Sequence, residues 1–295
     1  MITLARRAAL AAGLALGLML TTAGQAGAIT GGTADGSGHP SVGLLMFYED
    51  GTRYRCTATL VTPTVLLTAA HCTAGTMDKT IVTFESDIAE EAPSNLPRAA
   101  DDPGNGTTST GYGQTGMFTD SLHRTWYAGT PHAHPAYSDF TDMDNWNDVG
   151  VVVLDVPVSG ITPSAIAARN ALDAVGQPTL NKTLFTIVGY GTEVRKPDGG
   201  AQKPTPQSYP LVRRVAEAPG QKLTPQILQV NGNIHDTRGT GGSCFGDSGG
   251  PTFLTGKVVT VTSYGYTENC RYLDGLQRVD IPVVQDWLAS YGVRP

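Results

Sequence analysis

Gly242-Ser243-Cys244-Phe245-Gly246-Asp247-Ser248-Gly249-Gly250-Pro251, near the C-terminal end, governs how the rest of the chain is read. A serine set among glycines sits where a backbone can turn tightly and leave N–H groups pointing outward. The N–H groups of Gly246 and Ser248 are what an acyl-transfer site needs to hold a developing oxyanion. A serine hydroxyl is a weak nucleophile alone, so the stretch demands a base elsewhere. Thr68-Ala69-Ala70-His71-Cys72 supplies one in His71. Without the serine motif, His71 would read as a lone structural histidine.

Working back from His71, Leu44-Leu45-Met46-Phe47-Tyr48, Ala58-Thr59-Leu60-Val61 and Val65-Leu66-Leu67-Thr68 read as strands, the last two separated by the turn Thr62-Pro63-Thr64. Short apolar runs punctuated by turn residues, with 36 glycines and 19 prolines in all, suit an all-β sandwich or barrel. Asn147-Asp148-Val149-Gly150-Val151-Val152-Val153-Leu154-Asp155 reads as a buried strand with an acid near each end. Spacing leaves open whether Asp148, Asp142, Asp144 or Asp155 orients His71. Val258-Val259-Thr260-Val261-Thr262-Ser263 is a further strand. Val284, Trp287, Leu288 and Tyr291 fall on one helical face after Pro282, which a first turn tolerates.

Other features carry blander readings. Glu85, Asp87, Glu90, Glu91, Asp101 and Asp102 make a solvated acidic region rather than a calcium site. His132-Ala133-His134-Pro135 has no third ligand at a metal-like spacing, so no metal is expected. Asn105-Gly106-Thr107 and Asn181-Lys182-Thr183 fit the glycosylation pattern, which short sequences also meet by chance.

Residues 1–28 read as a signal peptide: Arg6-Arg7, an apolar run from Ala8 to Leu20, then Ala26-Gly27-Ala28 as the cleavage site. The apolar run is short for a membrane span. The remaining chain suffices for one large domain or two small ones. A formal charge of −6, made more negative by losing Arg6 and Arg7, argues against nucleic acid or an anionic membrane as partner. Four cysteines in an exported chain read as two disulfides with three pairings open. The absence of a Cys-x-x-Cys pair weakens a zinc reading.

Gly-Asp-Ser-Gly-Gly-Pro at 246–251 with Thr-Ala-Ala-His-Cys at 68–72, in this order, resembles the trypsin/chymotrypsin-like serine proteases. The resemblance spans nearly all of the chain after residue 28. It implies two antiparallel β-barrels with a C-terminal helix and an active site in the cleft between them. The first barrel would cover 29–157 and the second, with the helix, 158–295. The family usually carries Asp-Ile-Ala-Leu-Leu where this chain has Asp148-Val149-Gly150-Val151-Val152, which selects Asp148. The implied triad is His71, Asp148 and Ser248, with the oxyanion hole at Gly246 and Ser248. The implied disulfides are Cys56–Cys72 and Cys244–Cys270. Gly189-Tyr190-Gly191 resembles the family's Gly-Trp-Gly with Tyr in place of Trp.

Gly242 matches the base of the primary specificity pocket, where trypsin-like members have aspartate; Ser263, Gly265 and Gly275 match its walls. The pocket is therefore expected to take apolar side chains, with Asp274 as the residue that could supply a charge from the side. Ile29-Thr30-Gly31-Gly32 resembles the Ile-Val-Gly-Gly start whose ammonium pairs with the acid before the serine, here Asp247. The implied function is a secreted, monomeric serine endopeptidase acting on protein or peptide substrates, with no cofactor and no nucleic-acid or membrane partner. The alternatives are an esterase-like serine hydrolase and a non-catalytic binding homologue of the same fold. The first would share Gly-x-Ser-x-Gly, but the alternation of strands and helices that goes with it is missing.

Overall fold

Val65-Leu66-Leu67-Thr68 is too short for a helix and too apolar for a surface, and it becomes a fully buried strand between two neighbours. The structure, a computed structural model, describes residues 29–89, 94–99, 111–194, 207–208 and 210–295. Strands Val42–Glu49, Thr52–Thr62, Val65–Thr68, Gly150–Leu154, Thr125–Ala133 and Thr80–Thr83 pair antiparallel in that order. The last of them returns to the first, closing a barrel. Strands Arg214–Leu223, Leu184–Gly189, Pro251–Leu254, Lys257–Gly265, Leu273–Arg278 and Ile227–Asn231 close a second barrel in the same way. Closure leaves no long unpaired edge for another chain to pair with.

Alternation along one strand builds two cores. Leu45 and Phe47 join Ala58, Leu60, Leu66 and Val152 in a first-barrel cluster. Leu44 and Met46 face the other way, into a cluster shared with Val188, Phe253 and Val261 of the second barrel. Because successive strand residues point to opposite faces, both sets bury only if protein covers both sides. Each fully buried side chain of this kind contributes about 1.5–3 kcal/mol, so the shared cluster fixes one barrel against the other.

Two segments sit on the barrel opposite to the one their chain position implies. Thr33–Ala34 pairs with Arg214–Leu223, and Ile29 is buried in the second-barrel cluster, so the first residues after position 28 belong with the second barrel. The helix, Pro282–Ala289, lays Val284 and Leu288 into the shared cluster, while Trp287 packs on His134 and Tyr291 on His132 of the first barrel. The apolar face read from the sequence is the face buried. His132 and His134 serve as its packing partners, and burial holds the His134 imidazole below its ordinary pKa.

A buried arginine reinforces the join. Arg213 donates to Asp35 (2.8 Å) and to the carbonyls of Val42 (3.0 Å) and Phe84 (3.2 Å), linking the N-terminal segment to both barrels. Tyr190 lies beside it and donates its hydroxyl to the Glu85 carbonyl at 2.7 Å. Glu90, Glu91, Asp101, Asp102 and Asn105 lie outside the described residues. Among the described residues no helix is long and apolar enough to cross a membrane.

Candidate active site

His71 follows the buried strand Val65–Thr68 directly, in a single helical turn Ala70–Cys72. The disulfide Cys56–Cys72, with Cα atoms 6.3 Å apart, ties that turn to the neighbouring strand Thr52–Thr62. Asp148 precedes the strand Gly150–Leu154, which pairs with Val65–Thr68, so two adjacent strands deliver the acid to the histidine. Its carboxylate is fully buried. Oδ1 accepts the His71 backbone N–H at 2.9 Å, and Oδ2 meets His71 Nδ1 at 2.8 Å. An ionised carboxylate only accepts, so Nδ1 carries the ring proton and Nε2 is left basic.

Two partners of this acid were not legible as such. Ser263, expected on a pocket wall, donates its hydroxyl to Asp148 Oδ2 at 2.6 Å and accepts Trp146 Nε1–H at 2.9 Å. Gln277 Oε1 accepts the Asp148 backbone N–H at 3.1 Å. Both come from second-barrel strands far away in sequence, a relation no local pattern encodes. The other candidate acids lie elsewhere: Asp142 accepts the N–H groups of Asp144 and Asn145 in an exposed turn, and Asp155 pairs with Lys79. Phe140, with φ +60°, places its ring 5.6 Å from the His71 ring.

The serine loop is held from behind. Thr57 N–H donates to the Ser248 carbonyl (2.8 Å) and Thr57 Oγ1 to the Gly246 carbonyl (3.0 Å). Thr57 adjoins Cys56, and Cys72 adjoins His71, so one hydrogen bond and one disulfide connect Ser248 to the histidine turn. Gly249, at φ +74°, lies so close to Thr68 that a Cβ there would fall 2.0 Å from its Oγ1, so only glycine fits. The Phe245 carbonyl accepts from Thr192 N–H (2.7 Å) and the Asp247 carbonyl from Gly250 N–H (2.8 Å). In a trans peptide the N–H points opposite to the C=O. The Gly246 and Ser248 N–H groups therefore point away from those anchors.

Asp247 is fully buried, and its carboxylate accepts the N–H groups of Gly191 (2.7 Å) and Cys244 (2.9 Å). Burial pushes its pKa up to about 7, against those hydrogen bonds and the charge of Arg55. Ile29 lies in the second-barrel cluster rather than among those hydrogen-bond partners. The second disulfide, Cys244–Cys270, has its Cα atoms 5.3 Å apart. Cys56, His71 and Cys72 also cluster, but the disulfide occupies both sulfurs, so they are no ligand set.

A cavity of about 360 Å³ opens beside Ser248. Ser263 and Gly265 line it; Gly275 does not, because the Tyr264 ring lies against it. The preceding residue, Asp274, lines the cavity in its place. Gly242 packs against Gly232 and Asp274, where a Cβ would meet the Gly232 Cα at 2.3 Å. Phe245 stands half-exposed on the cavity's edge.

The family model described as Trypsin matches residues 127–288. Brachyurin from Leptuca pugilator is 28% identical over 258 residues, covering 85% of this chain and 92% of that protein. A trypsin from Saccharopolyspora erythraea is 28% identical over 247 residues, covering 82% and 87%. Among solved structures, HL collagenase superposes with a TM-score of 0.60 at 16% identity over 90% of this chain and all of that one. Human heparin binding protein does so with 0.57 at 18% identity, over 90% and 98%. These two structures share the fold; the family match over more than half the chain goes further, and this protein belongs to the trypsin family of serine proteases.

Proposed function

We propose that the chain is a secreted serine endopeptidase with His71, Asp148 and Ser248 as its catalytic residues. The observation that carries this reading is the buried Asp148 carboxylate, hydrogen-bonded to both the ring and the backbone of His71 on the turn tied to the serine loop. His71 Nε2 takes the Ser248 proton as the hydroxyl attacks the substrate carbonyl, then gives it to the leaving amine. Asp148 holds the tautomer and stabilises the imidazolium that forms. The N–H groups of Gly246 and Ser248 receive the oxyanion. Water releases the acyl-enzyme by the same steps with the proton transfers repeated.

The primary pocket is the cavity beside Ser248. Tyr264, Leu273, Gly265 and the Cys244–Cys270 bridge give it apolar walls, which supports Phe, Tyr, Leu or Met before the cleaved bond. Residues 1–28 act as a signal peptide, and cleavage after Ala28 frees Ile29, whose ammonium pairs with Asp247. The buried Asp247 carboxylate supports this step, because its two hydrogen bonds come from backbone N–H groups and the ammonium adds a charged donor beside it. The enzyme acts as a monomer on protein or peptide substrates.

A fold neighbour named for heparin binding makes a non-catalytic binding role the second reading. The formal charge of −6 disfavours a polyanion as ligand. Covalent labelling with a fluorophosphonate discriminates: the peptide carrying Ser248 gains the adduct in the native protein and loses it in Ser248→Ala. Absence of labelling at Ser248 in folded protein overturns the proposal, and labelling with turnover of esters but not peptides selects the esterase.

A further inference from the structure

Asp148 is held by more than its carboxylate. The strand that follows it enters the barrel ladder only at Gly150, opposite Thr68. The backbone N–H groups of Asn147 and Asp148 therefore have no partner in the sheet, and both residues are buried. Asn147 takes the left-handed conformation, φ +47°, and the Val149 N–H closes back on its carbonyl at 2.7 Å. A buried N–H without an acceptor is costly, so a turn of this kind needs acceptors from elsewhere in the fold.

Two glutamines of the second barrel supply them. Gln277 Oε1 accepts the Asp148 N–H at 3.1 Å, and Gln226 Oε1 accepts the Asn147 N–H at 3.4 Å. Gln277 is fully buried, and its Nε2 donates to the Gln226 carbonyl, to Gln226 Oε1 and to the Arg278 carbonyl, each at 3.1 Å. A reversed amide would set N–H against N–H at Asp148 and oxygen against three oxygens behind it, so one orientation alone is satisfied. Main-chain pairing fixes the two glutamines as well. Ile227 lies opposite Gln277, and the Arg278 N–H donates to the Gln226 carbonyl at 2.8 Å. Gln277 also lies opposite Val261, and Val261 opposite Pro251, just after the Ser248 loop.

We infer that Gln277, with Gln226 behind it, is a positioning residue for the reaction: it sets Asp148 from the ladder that leads to the serine loop. This rests on the reading of Asp148 and His71 as catalytic residues. The Asp148 carboxylate must meet the His71 backbone N–H and Nδ1 at once, at 2.9 and 2.8 Å. A short side chain does so only where its own backbone is fixed. The pairing from Pro251 through Val261 to Gln277 fixes that backbone against the loop carrying the nucleophile. A misplacement of about 1 Å can cost about 100-fold in rate, so the glutamine acts on the reaction through Asp148.

The test compares the parent with Gln277→Met, which keeps the length of the side chain and removes the amide. For an active parent, kcat should fall by about 10- to 100-fold with KM within about twofold. The proton NMR resonance of His71 Nδ1–H, assigned by its loss in His71→Ala, reads the contact with Asp148 without needing turnover. It should move upfield or broaden in Gln277→Met, since a longer contact deshields the proton less. Gln226→Met is the milder variant, because Gln226 borders a cavity of about 640 Å³ that leaves room for a new side chain. It should move both readouts in the same direction by less. In folded Gln277→Met, an unchanged resonance, an unchanged kcat or a change confined to KM overturns the inference. Should that variant not fold, the same outcomes in Gln226→Met overturn it, and a displaced resonance with lowered kcat supports it. A parent without peptide turnover, whose resonance is still displaced in the variants, would sink the endopeptidase reading and leave Gln277 as what positions Asp148.

Discussion

The turn carrying His71 is closed by Cys56–Cys72, and the loop carrying Ser248 by Cys244–Cys270. Each loop depends on a fully buried aspartate, but the two acids live under different terms. Asp148 receives the ring and backbone of His71 and the hydroxyl of Ser263, with two strands aligning them. Asp247 takes two backbone N–H groups, and Asp274 beside it depends on Ser243; burial pushes both up to about 7. The lesson is that Asp148 is surrounded by donors drawn from both barrels, whereas at Asp247 and Asp274 burial outweighs the hydrogen bonds they accept. In the proposed activation step the Ile29 ammonium would act on Asp247, on the second-barrel side.

The largest effect should come from breaking the centre where the two loops meet. Ser248→Ala or His71→Ala should lower kcat by about 10⁶-fold. Asp148→Asn should lower it by about 10⁴-fold, the magnitude characteristic of this triad. Melting temperatures within a few degrees of the parent would show that chemistry, not folding, was lost. Substantial peptide turnover by clean Ser248→Ala would remove Ser248 from its role.

A second experiment acts on the nucleophile side alone. Protein beginning at Ile29 should exceed protein with two extra N-terminal residues in kcat/KM by about 10²-fold or more, since an unpaired buried carboxylate costs several kcal/mol. Equal activities would mean that Asp247 is satisfied otherwise and that the activation pair does not form.

Ser263→Ala sharpens the comparison from the base side. It removes one of the three donors to Asp148 and leaves the buried Trp146 N–H without its acceptor. A loss of roughly tenfold or more in kcat is expected, with partial recovery in Ser263→Thr. If KM alone changed, Ser263 would be a pocket residue only.

The smallest effect concerns stability. From about pH 5 to 8, carboxyls held low, such as Asp35 and Asp120, are ionised in folded and unfolded chains alike. Asp247 and Asp274 instead keep their protons when folded up to about 7, while unfolded carboxyls ionise near ~4. The folded state therefore binds more protons, and the stability these acids confer is lost as pH rises through 7. The N-terminally extended protein should lose several degrees of melting temperature across this range. Protein starting at Ile29 should lose less, because its ammonium favours ionised Asp247. Identical pH profiles would count against the pairing, and His134, held low by burial, contributes equally to both forms.

Sequence alone determined the elements and marked the residues on which the proposed chemistry rests. Strand alternation, turn residues and the apolar face at Val284 and Leu288 are local patterns, and backbone geometry enforces them locally. The motifs around His71 and Ser248 were legible because neighbouring residues must supply the glycines and cysteines that shape each turn. Only the tertiary structure decided what crosses between barrels. It set Ser263 and Gln277 on Asp148, carried the terminal helix onto His132 and His134, and seated Thr33–Ala34 on the second barrel. It also put Asp274, and not Gly275, at the cavity, because Tyr264, paired with Gly275 across the strands, lays its ring against that glycine. Contacts of this kind join residues more than a hundred positions apart, and they exist only once closure and the shared core have fixed one barrel against the other.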